Sequence, residues 1–151
     1  MKMKVQGFRE LDRALGEFSK VTGVNILRRA AVEALEPMRE RAAALAPDDP
    51  ATTQNDLKDN IAVGTRSRSR RAGRKINQVE AYMGPDADVP FVVSKGVYQE
   101  FGTRDHPPQS FMRPAWDGGK MQLIDDVRDR LATQVEKARQ RAAKKALKRK
   151  G

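Results

Sequence analysis

The chain reads as an α+β fold: a small antiparallel β-sheet of three or four strands packed against a long kinked helix, with a second long helix at the C-terminal end. Three observations carry that expectation. Apolar residues recur at helical spacing near both ends of the 151-residue chain. The middle third holds short alternating or β-branched runs bounded by Gly, Pro and Asp. Two prolines stand where they interrupt or open a helix.

In order, Phe8, Leu11, Leu15 and Phe18 predict a short amphipathic helix over residues 8–19, preceded by Gly7. A second helix, capped by Thr22 or Asn25, runs to about residue 46 on the stripe Val24, Leu27, Ala31, Leu35, Met38, Ala42 and Leu45. Pro37 falls inside that stripe and should kink or split it. Pro47-Asp48-Asp49-Pro50 ends the helix and opens a polar loop to Asn55. Residues 56–60 suit one helical turn, residues 61–65 a strand, and residues 75–83 a second strand through Ile76, Val79, Ala81 and Met83. Between them, residues 66–74 are mostly Arg, Ser and Gly and suit a mobile hairpin tip. After a turn over residues 84–88, residues 89–93 predict a third strand, and Ser94 caps a short helix holding Tyr98 to Phe101. His106-Pro107-Pro108 forces an extended path, since a residue before proline avoids the helical region. Pro114 suits the first turn of a last helix that starts by Trp116 or Gly119 and ends near residue 146, on the seam Ile124, Val127, Leu131, Val135, Ala138 and Ala142. The first half of that helix should pack on the sheet, and the second half should project.

Composition narrows the class. Apolar residues make up 38% and charged residues 33%, which fits one domain over residues 1–136 with a basic C-terminal tail over residues 137–151. There is no cysteine, hence no disulfide and no thiolate chemistry. No apolar run approaches the roughly 20 residues of a membrane helix, and the N-terminal residues lack the apolar core of a signal peptide, so a soluble chain made in a cytoplasm is expected.

The net charge of +10 is concentrated. Arg66, Arg68, Arg70, Arg71, Arg74 and Lys75 form one acid-free run. Lys137, Arg139, Arg141, Lys144, Lys145, Lys148, Arg149 and Lys150 form another. Outside these fourteen residues, sixteen basic residues face twenty acidic ones, a body of net charge −4. Charge runs are often only solvated surface. Here the alternative is contact with a polyanion or an acidic partner. Neither run interleaves aromatics, so neither is a stacking platform for single strands.

Catalytic chemistry finds little to stand on. The one histidine, His106, sits against two prolines and reads as a loop residue making one hydrogen bond. The acid pairs Asp48/Asp49, Asp86/Asp88 and Asp125/Asp126 are sequence neighbours whose side chains do not converge. No metal, no cofactor and no enzyme activity is expected.

The richest stretch is residues 97–117, with four of the eight aromatics and three of the eight prolines. Aromatics dominate cores and interfaces, so the stretch is a core keystone, an assembly surface, or both. Gly102 suits a tight turn of positive φ. Trp116 is expected in the core, with an interface role held open. Glu100, between Tyr98 and Phe101, has two readings: a solvated surface acid, or a carboxylate held by Arg104, Arg113 or backbone donors that pins the aromatic turn to the last helix.

Tyr98-Gln99-Glu100-Phe101-Gly102-Thr103, followed by Pro108-Gln109-Ser110-Phe111-Met112-Arg113-Pro114-Ala115, resembles the head–tail joining, or tail-completion, proteins of long-tailed bacteriophages. Upstream, Leu45-Ala46-Pro47, Leu57 and Ile61 match the same family, although Asn55-Asp56 stand where it has Thr-Gly. The likeness spans residues 8–132.

The resemblance implies a virion protein of the neck or tail, made in the host bacterial cytoplasm, of a phage, prophage or gene-transfer particle. It implies assembly into a homo-oligomeric ring, a hexamer by analogy with the family, docking on head-connector and tail-terminator or tail-tube proteins. Tyr98, Glu100, Phe101, Gly102, Thr103, Phe111, Arg113, Pro114 and Trp116 would form its assembly motif. Arg66, Arg68, Arg70, Arg71, Arg74, Lys75, Lys144, Lys145, Lys148, Arg149 and Lys150 would reach a neighbouring ring or the packaged DNA. The alternative is a small basic protein that binds nucleic acid nonspecifically through the Arg-rich loop and the tail.

Overall fold

The computed structural model describes residues 7–48, 56–67 and 79–148, and for residues 66 and 67 the backbone alone. The order is α1 (Phe8–Gly16), α2 (Lys20–Leu45), a 3-10 turn (Lys58–Asn60), β1 (Ile61–Ser67), β2 (Val79–Pro85), α3 (Val92–Phe101) and α4 (Met112–Lys148). The fold is α+β. β1 and β2 form a two-stranded antiparallel sheet, fewer strands among the described residues than the three or four expected.

The expected third strand, residues 89–93, is instead a turn and the start of α3. The Asp86 carboxylate accepts the Asp88 N–H at 3.0 Å, and the Asp86 N–H donates to the Asn60 carbonyl at 2.8 Å. These two bonds, one within the turn and one to Asn60, fold the chain back before Pro90, which has no N–H to give a sheet. Phe91 then takes a left-handed conformation (φ 64°), and the helix begins at Val92, ahead of the expected Ser94 cap.

α2 begins at Lys20, not at Thr22 or Asn25. Ser19 Oγ accepts the Thr22 N–H at 3.4 Å, a hydroxyl at the N-terminal cap. The helix passes through Pro37 without the split the sequence suggested. Pro37 is exposed, so its ring meets solvent, and only one backbone bond is forfeited. Ala34, Leu35 and Met38, all buried, anchor the turns on either side.

Among the described residues the contacts form two compact units, the first within Met1–Ala34, Thr65–Glu80 and Ile124–Gly151, the second within Leu35–Gly64 and Ala81–Leu123. The core of the first is helical. Ala14 of α1, Ile26 and Ala30 of α2, and Leu131 and Val135 of α4 are buried together, with Phe8, Leu11 and Phe18 packed around them. Leu131, at the middle of the predicted helix, and Val135, in the half expected to project, thus pack on helices, because α1 brings a complete apolar stripe of its own. Gln134 donates to Glu33 at 2.6 Å, and Arg139 makes a two-pronged pair with Glu17 at 3.0 Å.

The core of the second unit joins Ala42 and Ala46 of α2, Leu57, Ile61 of β1, Val92 of α3, and Phe111 and Ala115 at the head of α4. Small residues let the elements approach closely. A Cβ on Gly96 would lie 2.4 Å from Pro85 Cγ, so α3 sits against the end of β2. A Cβ on Gly64 would lie 2.4 Å from the Tyr82 ring, which covers that glycine across the strand pair.

Candidate assembly site

α3 has a repeat of four on one face: Val92, Gly96 and Glu100 are buried, one turn apart. The first two fill the core of the second unit. The third is a carboxylate only 6% exposed, and an acid in that position requires donors.

The start of α4 supplies them. Glu100 Oε2 accepts the N–H groups of Phe111 and Met112, each at 2.9 Å, and Oε1 accepts that of Arg113 at 3.2 Å. The next residue, Pro114, has no N–H, and Ala115 N–H begins the helical ladder by donating to the Phe111 carbonyl at 3.2 Å. Every donor that a helix start leaves over is therefore satisfied or absent. The negative carboxylate also faces the positive end of the helix dipole. For that reason α4 starts at Met112, four residues before the earlier of the two starts expected from the sequence.

The segment between the helices is tied down on both sides. Ser110 Oγ donates to the Glu100 carbonyl at 2.8 Å, and Gln109 N–H to that of Gln99 at 2.7 Å. Gly102 takes φ 77°, and a Cβ there would meet the His106 carbonyl at 2.9 Å and the Pro108 nitrogen at 3.0 Å. Thr103 N–H donates back to the His106 carbonyl at 2.9 Å, and the His106 ring bonds to Gln99 Oε1 at 3.2 Å. Of the two arginines weighed as partners of Glu100, Arg113 is the one in place. Its Nε lies 3.5 Å from Oε1, and its guanidinium lies over the Phe101 ring, 4.8 Å from the centroid. Among the described residues, the acid nearest the Arg104 guanidinium is Asp105, at 4.0 Å.

Of the four aromatics in residues 97–117, Phe111 alone is buried. Trp116, expected in the core, is 50% exposed. With α4 starting at Met112, Ala115 and Gly119 face inward one turn apart, and Trp116 is turned away from them. A Cβ on Gly119 would sit 2.8 Å from Arg41 Nη1 and 3.1 Å from Met38 Cε, so a larger inward side chain there would have to displace the ends of those two side chains. Trp116 instead lines an open apolar cavity of about 520 Å³ with Leu35, Met38, Tyr82, Met83 and Met112.

The sequence reading missed that α3 is apolar on a second face. Val93, Val97 and Phe101, again four apart, are all exposed, flanked by exposed Tyr98 and Phe91. The signal was legible: two parallel repeats of four, offset by one residue, in a ten-residue helix.

The basic residues divide. Lys144, Lys145 and Lys148 are exposed on the last turns of α4. Arg68, Arg70, Arg71, Arg74, Lys75, Arg149 and Lys150, and the side chain of Arg66, lie outside the described residues. Also outside them are most of the loop to Asn55 and the first part of the strand predicted from residue 75. Among the described residues no three His, Cys, Asp or Glu side chains gather to hold a metal, and no helix is long and apolar enough to cross a membrane. No family model, curated protein or solved structure matches the chain.

Proposed function

We propose that the chain is a structural subunit of a phage or phage-derived particle, which joins the tail to the head or completes the tail by assembling into a ring at the neck. The observation that carries this reading is the two-faced α3. Its buried face is complete, with Val92, Gly96 and Glu100 closing the core of their unit. Its other face leaves Val93, Val97 and Phe101 in solvent. A helix that keeps an exposed apolar row beside its buried one belongs inside something larger, and a rigid apolar patch rimmed by polar groups is the ordinary mark of a protein interface. The Glu100 contacts hold that patch stiff, so little order is lost when it docks. The likeness of residues 98–115 to head–tail joining proteins supplies the kind of assembly.

The test is electron microscopy of particles made without the chain. Filled heads beside free tails are the expected result; normal virions would refute the joining role. Complementation with Val93→Asp/Val97→Asp should reproduce the defect while leaving the melting temperature of the purified chain nearly unchanged.

One observation favours a second reading, nonspecific nucleic-acid binding. The acid-free end of α4 presents Lys144, Lys145 and Lys148 to solvent. Duplex affinity that falls steeply with salt and vanishes on deleting residues 137–151 would support that role over assembly.

A further inference from the structure

We infer that a groove in the first unit, between the N-terminal half of α2 and the C-terminal half of α4, is a docking seat for an acidic amphipathic helix of a partner protein. This goes beyond the neck reading and rests on different residues. The groove has a volume of about 350 Å³. Its floor is apolar at Phe18, Ile26, Ala138 and Ala142, with Thr22, Asn25 and Gln134 as neutral polar neighbours. Its rim is cationic: Arg29 from α2, and Arg141 and Lys145 from α4. No carboxylate lines it, and none of the three cations is paired with a described acid. The acids nearby are already engaged, Glu33 by Gln134 and Glu17 by Arg139.

The spacing points to a helix as occupant. Ala138, Arg141, Ala142 and Lys145 stand at i, i+3, i+4 and i+7 on α4; Thr22, Asn25, Ile26 and Arg29 repeat the same spacing on α2. Two helical stripes side by side, with Ile26 on one, Ala138 and Ala142 on the other and a cation at the edge of each, make a groove into which a third helix can lay an apolar face. From Gln134 to Lys145 the α4 stripe spans about 16 Å, or three turns. The chemistry separates a peptide from a nucleic-acid backbone. Phosphates would meet the rim but would set charged oxygens over an apolar floor, which is unfavourable. A helix with apolar residues on one side and Glu or Asp flanking them satisfies both.

The test is fluorescence anisotropy on the full chain. The probe is a labelled peptide of about 15 residues with Leu at helical spacing and Glu on both flanks. A second peptide has the same composition with the Leu positions scattered, and a third has Lys in place of Glu. A short DNA duplex completes the set. The first peptide should bind, and the scattered peptide at least ten-fold more weakly. Arg29→Glu/Arg141→Glu/Lys145→Glu should lose the first peptide and gain the Lys peptide. That charge swap separates a failed interface from a failed fold, and Ala142→Glu, at an exposed helical position, should weaken the first peptide with an unchanged circular dichroism spectrum. Equal binding of the scattered peptide overturns the inference, as does a duplex that binds more tightly and is lost in the same variants. Concentration-dependent self-association abolished by those variants overturns it too, in favour of a second copy of the chain.

Discussion

The carboxylate of Glu100 lies 2.9 Å from the backbone nitrogen of Phe111, eleven residues further along the chain. Through that bond and its two neighbours the last residues of α3 serve as the N-terminal cap of α4. Hydrogen bonds to a charged group contribute about 1.5–3 kcal/mol each, but the three here share one carboxylate and are not additive. Glu100→Ala should lower stability by about 2–4 kcal/mol, or roughly 5–15 °C in melting temperature for a chain of this size. Glu100→Gln keeps one acceptor oxygen and should lose about half as much. The control is Glu40→Ala, at an exposed position on α2, which should move stability by less than about 0.5 kcal/mol. Equal shifts for Glu100→Ala and the control would show that the cap carries no weight.

The two large aromatics flanking that cap should respond in opposite ways. Phe111 is fully buried, and Phe111→Ala should cost about 3–5 kcal/mol. Trp116→Ala, from a half-exposed site, should cost less than about 1.5 kcal/mol. Tryptophan emission offers a direct check, because the chain has one Trp. Native protein should already emit toward the red and shift little on unfolding in guanidinium. A blue native spectrum would return Trp116 to the core.

What was legible in the sequence, and what was not, follows from how far each cause acts. The stripe Phe8, Leu11, Leu15 marked α1 because its burial follows from its own periodicity. Gly102 was legible because few residues but glycine accept its backbone angles. The α4 start was misplaced because its cause is a side chain from another helix. Trp116 was expected inside because large aromatics are commonly buried, a rule that does not say which helical face a residue occupies. Residues 89–93 looked like a strand because Val-rich runs serve strands and buried helix faces alike. The Asp86 turn decided between them, and its bond to Asn60 connects elements 26 residues apart.

Glycine substitutions test the backbone separately from the side chains. Gly102→Ala forces a side chain into positive φ and against two backbone atoms of the following turn. It should destabilise by about 1–3 kcal/mol. Gly16→Ala, in helical geometry with open space around it, should instead stabilise by about 0.5–1 kcal/mol. Thermal melts of the two variants should therefore move in opposite directions. A neutral Gly102→Ala would mean that the turn relaxes freely and does not fix the aromatic run.

Phe91 combines two unfavourable features: a left-handed backbone at φ 64° and a side chain 78% exposed. For a residue with a Cβ that backbone costs about 1–2 kcal/mol, and the exposed ring returns little burial energy within its own chain. Glycine removes the strain but gains roughly 0.5–1 kcal/mol of unfolded-state entropy. Phe91→Gly should therefore leave the isolated chain unchanged or raise its stability by up to about 1 kcal/mol. Phe91→Val, β-branched at the same angles, should destabilise it, which confirms the backbone assignment independently. If the strain is kept for the sake of an exposed anchor, Phe91→Gly should melt no lower than the parent and yet enter particles poorly in a complementation assay. Normal incorporation of the glycine variant would remove Phe91 from the assembly surface and leave Val93, Val97 and Phe101 to form it.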